Sequence, residues 1–167
     1  MPIKDLEIFL LEDFNMRTNY EIIKSSEFKK LAAVPKHYTS NVREHSLRVA
    51  YVMWKLSSFF CTDRYSAVRV GLLHDMCYTM PEERSSRKGY YVFYHPIDAV
   101  TNAQKYYGIS KREENAIRFH MFPVCPGIPT NAIGWNLFIA DKIATAWDYY
   151  AGFKKTGKRQ EISVMKD

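Results

Sequence analysis

Gly71-Leu72-Leu73-His74-Asp75 is an apolar run that ends in a histidine and an aspartate side by side. On a helix of about 3.6 residues per turn, adjacent side chains diverge by about 100°, so both reach one bound atom only if it lies beside the helix, between them. A metal ion meets that condition. Imidazole nitrogen and carboxylate oxygen form a ligand pair that suits zinc, manganese and iron. Four residues of the same chemistry accompany the pair: His45 upstream, and His95, His120 and Asp141 downstream. Each falls on a helix edge or helix face in its local pattern.

Outward from that stretch the chain reads as helix in both directions. Val68, Gly71, Leu72 and Asp75 form the inward face of the segment that ends near His74-Asp75. Before it, Val42, His45, Val49, Val52, Leu56 and Phe59 recur at alternating steps of three and four. They draw one stripe along a predicted helix over 41–60 and place His45 on its buried face. Ser40 stands where a cap for that helix is expected, and His37 is assigned to the preceding loop. Leu6, Phe9 and Leu10 place a helix over 5–15, and Ile22, Ile23, Phe28 and Leu31 another over 20–34, ended by Pro35. These two read as a cap on the core that carries no chemistry.

Beyond Tyr78, the polar stretch 81–89 with Arg84, Arg87 and Lys88 reads as a loop long enough to cover a site. Pro96 reads as the first residue of a helix through Ile97, Val100, Ala103 and Tyr107, which Gly108 stops. That puts His95 at the helix mouth. Ser110-Lys111-Arg112-Glu113 is a capping box opening a short helix on which Glu113, Ile117 and His120 share a face. Pro123, Pro126 and Pro129 then mark a loop. The last helix is predicted over 131–153, with Ile133, Leu137, Ala140, Ala144 and Trp147 as its apolar stripe and Asp141 on the edge of that stripe. An aspartate there is costly to bury without a partner, and a metal supplies one.

Composition sets the frame. A chain of 167 residues, 47% hydrophobic and 25% charged, is ordinary globular material for one domain, and its seven glycines favour helices over a turn-rich sandwich. The expected fold is therefore all-α, a single-domain helical bundle with residues 1–37 as an N-terminal cap, 38–153 as its body and 154–167 as a basic, frayed tail. The net charge of +6 is spread without a block of like charges, which favours attraction of small anionic ligands over a patch for a nucleic-acid polymer. Cys61, Cys77 and Cys125 lack the spacing of a disulfide framework or a cysteine zinc site. Acids in the first residues argue against a secretory leader, and no apolar run reaches the length of a membrane span. A cytoplasmic protein with no membrane partner is expected.

His45, His74-Asp75 and Asp141 together resemble the signature of the HD superfamily of metal-dependent phosphohydrolases. The words His45-Ser46-Leu47-Arg48-Val49-Ala50, Gly71-Leu72-Leu73-His74-Asp75, His95-Pro96 and Ala140-Asp141-Lys142 look like those of small stand-alone bacterial HD-domain proteins, over roughly residues 38–150. The added His95 and His120 resemble the branch of that superfamily that binds a second metal. The resemblance implies an HD-domain helical bundle in which His45, His74, Asp75 and Asp141 hold one ion and His95 and His120 the other, with Asp75 bridging. The implied cofactor is two divalent transition-metal ions, iron or manganese first, with zinc, nickel, cobalt or magnesium as alternatives. Such a pair activates a hydroxide and neutralises charge on a phosphoryl group.

The expected activity is hydrolysis of a phosphomonoester or phosphodiester in a small nucleotide-like or phosphorylated substrate. Asp75 is the catalytic carboxylate, and Lys142 and Arg48 are candidates to bind the phosphate. Met121 follows His120 where the cyclic di-GMP branch carries a second histidine, and the Gly-Tyr-Pro signature of that branch is absent, so cyclic di-GMP is not the expected substrate. Two alternatives stand beside hydrolysis. One is a mixed-valent diiron oxygenase with the same six ligands, whose substrate-binding lysine is Val124 here. The other is a metal-binding regulatory module without turnover.

Overall fold

The computed structural model describes residues 2–12, 17–36, 40–84, 86 and 88–164, of which 11, 12, 17, 18 and 155–164 are described by their backbone alone. Among these the chain is all-α with no strand. The helices are α1 (Ile3–Glu12), α2 (Arg17–Lys24), α3 (Ser26–Lys30), α4 (Val42–Leu56), α5 (Arg64–Leu73), α6 (Pro81–Arg84), α7 (Tyr91–Tyr107), α8 (Lys111–Arg118) and α9 (Ala132–Val164), with a 3-10 turn over Leu31–Ala33. No helix among the described residues is long and apolar enough to cross a membrane.

The stripe on α4 explains why that helix is central. It packs most extensively against α5 and α9, burying Val42, Leu47, Val49 and Met53 in one cluster with Leu72, Leu73, Leu137 and Ala144. Each fully buried aliphatic side chain contributes about 1.5–3 kcal/mol. The α1–α3 segment joins the same cluster through Leu10, Ile22, Ile23 and Phe28.

One contact fixes how α4 and α5 meet. A Cβ added at Gly71 would lie 2.6 Å from the Cα of Ala50, closer than side-chain carbons approach backbone, so only glycine admits this crossing. His74 follows Gly71 by one turn, and His45 precedes Ala50 by little more than one. The close crossing therefore brings the two histidine-bearing ends together.

Several boundaries differ from the expectations. Asn41, not Ser40, caps α4, its side chain accepting the Glu44 N–H at 2.9 Å. The helix expected over 20–34 breaks at Ser25, which caps α3 by accepting from the Phe28 N–H. Helix α7 begins at Tyr91, so Pro96 lies inside it and His95 sits in its second turn, not at its mouth. Pro96 has no N–H for the Val92 carbonyl four residues back, and the Cys125 thiol donates to that carbonyl instead, at 3.0 Å. The capping box at Ser110 is present, but α8 ends at Arg118, which leaves His120 in the turn after it. Helix α9 runs past Phe153 to Val164, so the stretch expected to fray is helical that far. His37, Arg87 and residues 165–167 lie outside the described residues.

Candidate metal centre

Five elements deliver the six predicted ligands to one place. His45 comes from the first turn of α4, His74 and Asp75 from the end of α5, His95 from α7, His120 from the turn after α8, and Asp141 from α9. None is more than 5% exposed. Histidines and aspartates buried this completely need partners.

The imidazoles are oriented by their outer nitrogens. Nδ1–H of His74 donates to the Gly71 carbonyl at 2.8 Å, that of His95 to the Tyr91 carbonyl at 2.9 Å, and that of His120 to the Ile117 carbonyl at 2.7 Å. His45 Nδ1 is held at 2.7 Å by a carboxylate, that of Asp148. This is the arrangement by which ligating histidines fix their tautomer and aim the other nitrogen at a metal. His95 Nε2 and His120 Nε2 then face each other at 3.1 Å, lone pair to lone pair. Burial pushes the His95 pKa down to about 4 and that of His120 down to about 3, so both rings are neutral near pH 7.

The carboxylates sit between the rings. Asp75 Oδ2 is 3.3 Å from His74 Nε2 and 3.9 Å from His45 Nε2, whereas its Oδ1 is 3.5 Å from His95 Nε2 and 3.8 Å from His120 Nε2. Each oxygen of Asp75 thus faces a different pair of histidines. Asp141 Oδ1 lies 3.0 Å from His45 Nε2 and 3.8 Å from His74 Nε2. Burial alone would raise both aspartate pKa values, but neighbouring cationic and imidazole groups, Lys36 and His74 at Asp75 and His45 at Asp141, hold both well below the usual carboxylate range. His45, gripped between Asp141 and Asp148, overcomes its burial and has a raised pKa.

Two atoms in the middle, His74 Nε2 and Asp75 Oδ1, are buried with no hydrogen-bond partner. Leaving such acceptors unmatched costs about 1–3 kcal/mol each, and a cation matches both. Two groups, His45-His74-Asp141 and His74-Asp75-His120, have donor atoms all within 4.8 Å of one another and can hold a metal ion. The all-nitrogen-and-oxygen donor set fits a transition metal.

A cavity of about 300 Å³ opens beside the centre, lined among others by Lys36, Arg84, Tyr91, His95, Asp141 and Lys142. Lys142 Nζ donates to Asp141 Oδ2 at 2.7 Å, and Lys36 Nζ donates to Asp75 Oδ2. Lys142 therefore stands where a substrate-binding group was expected. Arg48 does not. Its guanidinium is turned away from the cavity into a buried pair with Asp148, flanked by Glu44 at 3.5 Å, so it braces the residue that orients His45. Val124 is 57% exposed and lines a different groove with Phe93 and Ile97.

Sequence reasoning missed Lys36 and Asp148, and named Arg84 only as part of the 81–89 stretch expected to cover a site. Lys36 gave no local signal, because its place depends on where the segment before α4 returns. Asp148 did give one: it lies seven residues after Asp141 on the buried side of α9, an acid on an apolar stripe.

Fold and site together define an all-α protein with four histidines and two aspartates converging, next to a cation-lined cavity. Compared with protein-family models, curated proteins and solved structures, the chain matches none.

Proposed function

We propose that this chain is a metal-dependent phosphohydrolase of the HD kind its sequence resembles, acting on a small phosphorylated or nucleotide-like substrate with two divalent transition-metal ions, iron or manganese first. The observation that carries the reading is the inward convergence of buried Nε2 atoms around Asp75, with three of the four Nδ1–H groups committed to backbone carbonyls and His45 Nδ1 to Asp148. In this reading His45, His74, Asp75 and Asp141 would hold one ion, and His95 and His120, with Asp75 between the two groups, would hold the other. Such a pair, when bound, supplies a nucleophile at neutral pH and offsets phosphoryl charge.

The chain's own residues do the rest. Lys142 and Lys36, each paired with a ligand carboxylate, bind phosphoryl oxygens at the mouth of the centre. Tyr91 stacks on His95 at 4.8 Å and 14°, holding that ring in register and screening it from water. In the overall reaction a water oxygen bonds to phosphorus, the ester P–O bond breaks, and one water proton ends on the departing alcohol oxygen.

The test is phosphate release from a panel of phosphoesters by metal-loaded protein, alongside dioxygen uptake by an iron-loaded sample. Phosphate release abolished by Asp75→Asn supports the reading. Oxygen uptake with no ester cleaved favours the oxygenase, and metal binding without either activity favours the regulatory module. The cationic cavity is what favours hydrolysis among the three.

A further inference from the structure

We infer that the cavity is an anion subsite built by Lys36, Arg84 and Lys142 for the dianionic terminal phosphate of a phosphomonoester carrying a compact organic group. This deepens the phosphohydrolase reading and rests on it for the reaction, though not for the binding. The three cations come from separate parts of the chain, the segment before α4, helix α6 and helix α9, and meet around one cavity beside Asp141 and His95. Like charges gather only with anions among them; Asp75 and Asp141 pair with Lys36 and Lys142, and no carboxylate pairs with Arg84 among the described residues.

Charge balance identifies the anion. The carboxylates facing these cations are Asp75 and Asp141, and both are already engaged by histidines. Any cation held by those ligands takes up their charge and leaves Lys36 and Lys142 short of counter-charge. Arg84 is further evidence. Its guanidinium lies 3.8 Å over the Tyr91 ring, which fixes its plane, and its Nε is buried with no hydrogen-bond partner. A planar donor held in this way suits phosphate oxygens. A phosphomonoester brings close to two negative charges at pH 7 and a phosphodiester one, so the surplus of positive charge selects the monoester. The volume of about 300 Å³ is at the small end for ligand pockets, which suits a phosphate with one compact group.

Inorganic phosphate is the probe. Calorimetry on manganese-loaded protein should show phosphate binding that Arg84→Gln weakens about tenfold, with the bound metal unchanged. Arg84→Lys should recover part of the affinity, and Lys88→Gln, an exposed neighbour, should leave it as it is. No binding, or equal affinity in a folded Arg84→Gln protein, overturns the inference. In turnover, p-nitrophenyl phosphate should be preferred to bis(p-nitrophenyl) phosphate, and Arg84→Gln should cut kcat/KM for the monoester far more than for the diester. Preference for the diester overturns it. Arg84-dependent phosphate binding with neither ester cleaved keeps the anion subsite and contradicts the hydrolase reading instead.

Discussion

His45 is gripped at both nitrogens by aspartates two turns apart on α9, Asp141 at Nε2 and Asp148 at Nδ1. Arg48 fixes Asp148 in turn. Losing an outer partner of a ligating histidine commonly costs 10–100-fold in metal affinity, so Asp148→Asn should weaken metal binding by about that factor in a competitive chelator titration. Unchanged affinity would remove Asp148 from the account. A second expectation at this scale concerns pH. The folded-state pKa values of His95 and His120, about 4 and about 3, lie below the ordinary 6.5, so between those limits the unfolded chain binds more protons than the folded one. Stability of the metal-free protein should therefore fall as pH drops from about 7 to about 4. His45, whose pKa is raised, works the other way and contributes stability that fades as pH rises. That contribution is fully present below the ordinary value of 6.5, so from there down the two lowered values set the slope, and the thermal midpoint should be lower at pH 5 than at pH 6.5, with a smaller difference in His120→Gln. A flat or inverted profile in the wild-type chain would show the two rings to be less deeply desolvated than described.

Among the elements, the crossing of α4 over α5 matters most to the site. Gly71→Ala forces a carbon against Ala50 and should cost about 1–3 kcal/mol, the range for overpacking a tight contact, read as a lowered denaturation midpoint. Because His45 and His74 flank that crossing, the same variant should also bind metal more weakly. Stability lost with affinity intact would separate the crossing from the centre. The stripe on α4 was legible from Val42 to Val52, whose members are buried, but it overran the helix: α4 ends at Leu56 and Phe59 is 81% exposed. The start of α7 was not legible. Tyr90 provides no side-chain cap for it, so Pro96 was the strongest local signal and misplaced the boundary. The Val92 carbonyl that Pro96 leaves without its helical N–H is served by the thiol of Cys125, thirty-three positions away, and no local pattern reports a contact at that distance.

For the whole molecule, helical periodicity and scarce glycines pointed to an all-α fold, and that is the fold observed. The candidate ligands were legible in part for a related reason: His45 and Asp141 lie on or beside apolar stripes, where an acid or histidine needs a partner, whereas the roles given to His95 and His120 came from the family resemblance. What local sequence could not show was the cavity, since Lys36, Arg84 and Lys142 are brought together only by tertiary packing. The claim on which everything else depends is that six buried side chains form a two-ion centre. Metal content of anaerobically purified protein tests it most directly, with His95→Ala and His120→Ala measured in parallel. The account expects about two ions per chain, falling toward one in each variant, whereas a wild-type chain that binds no metal, or variants that keep its full load, would contradict it.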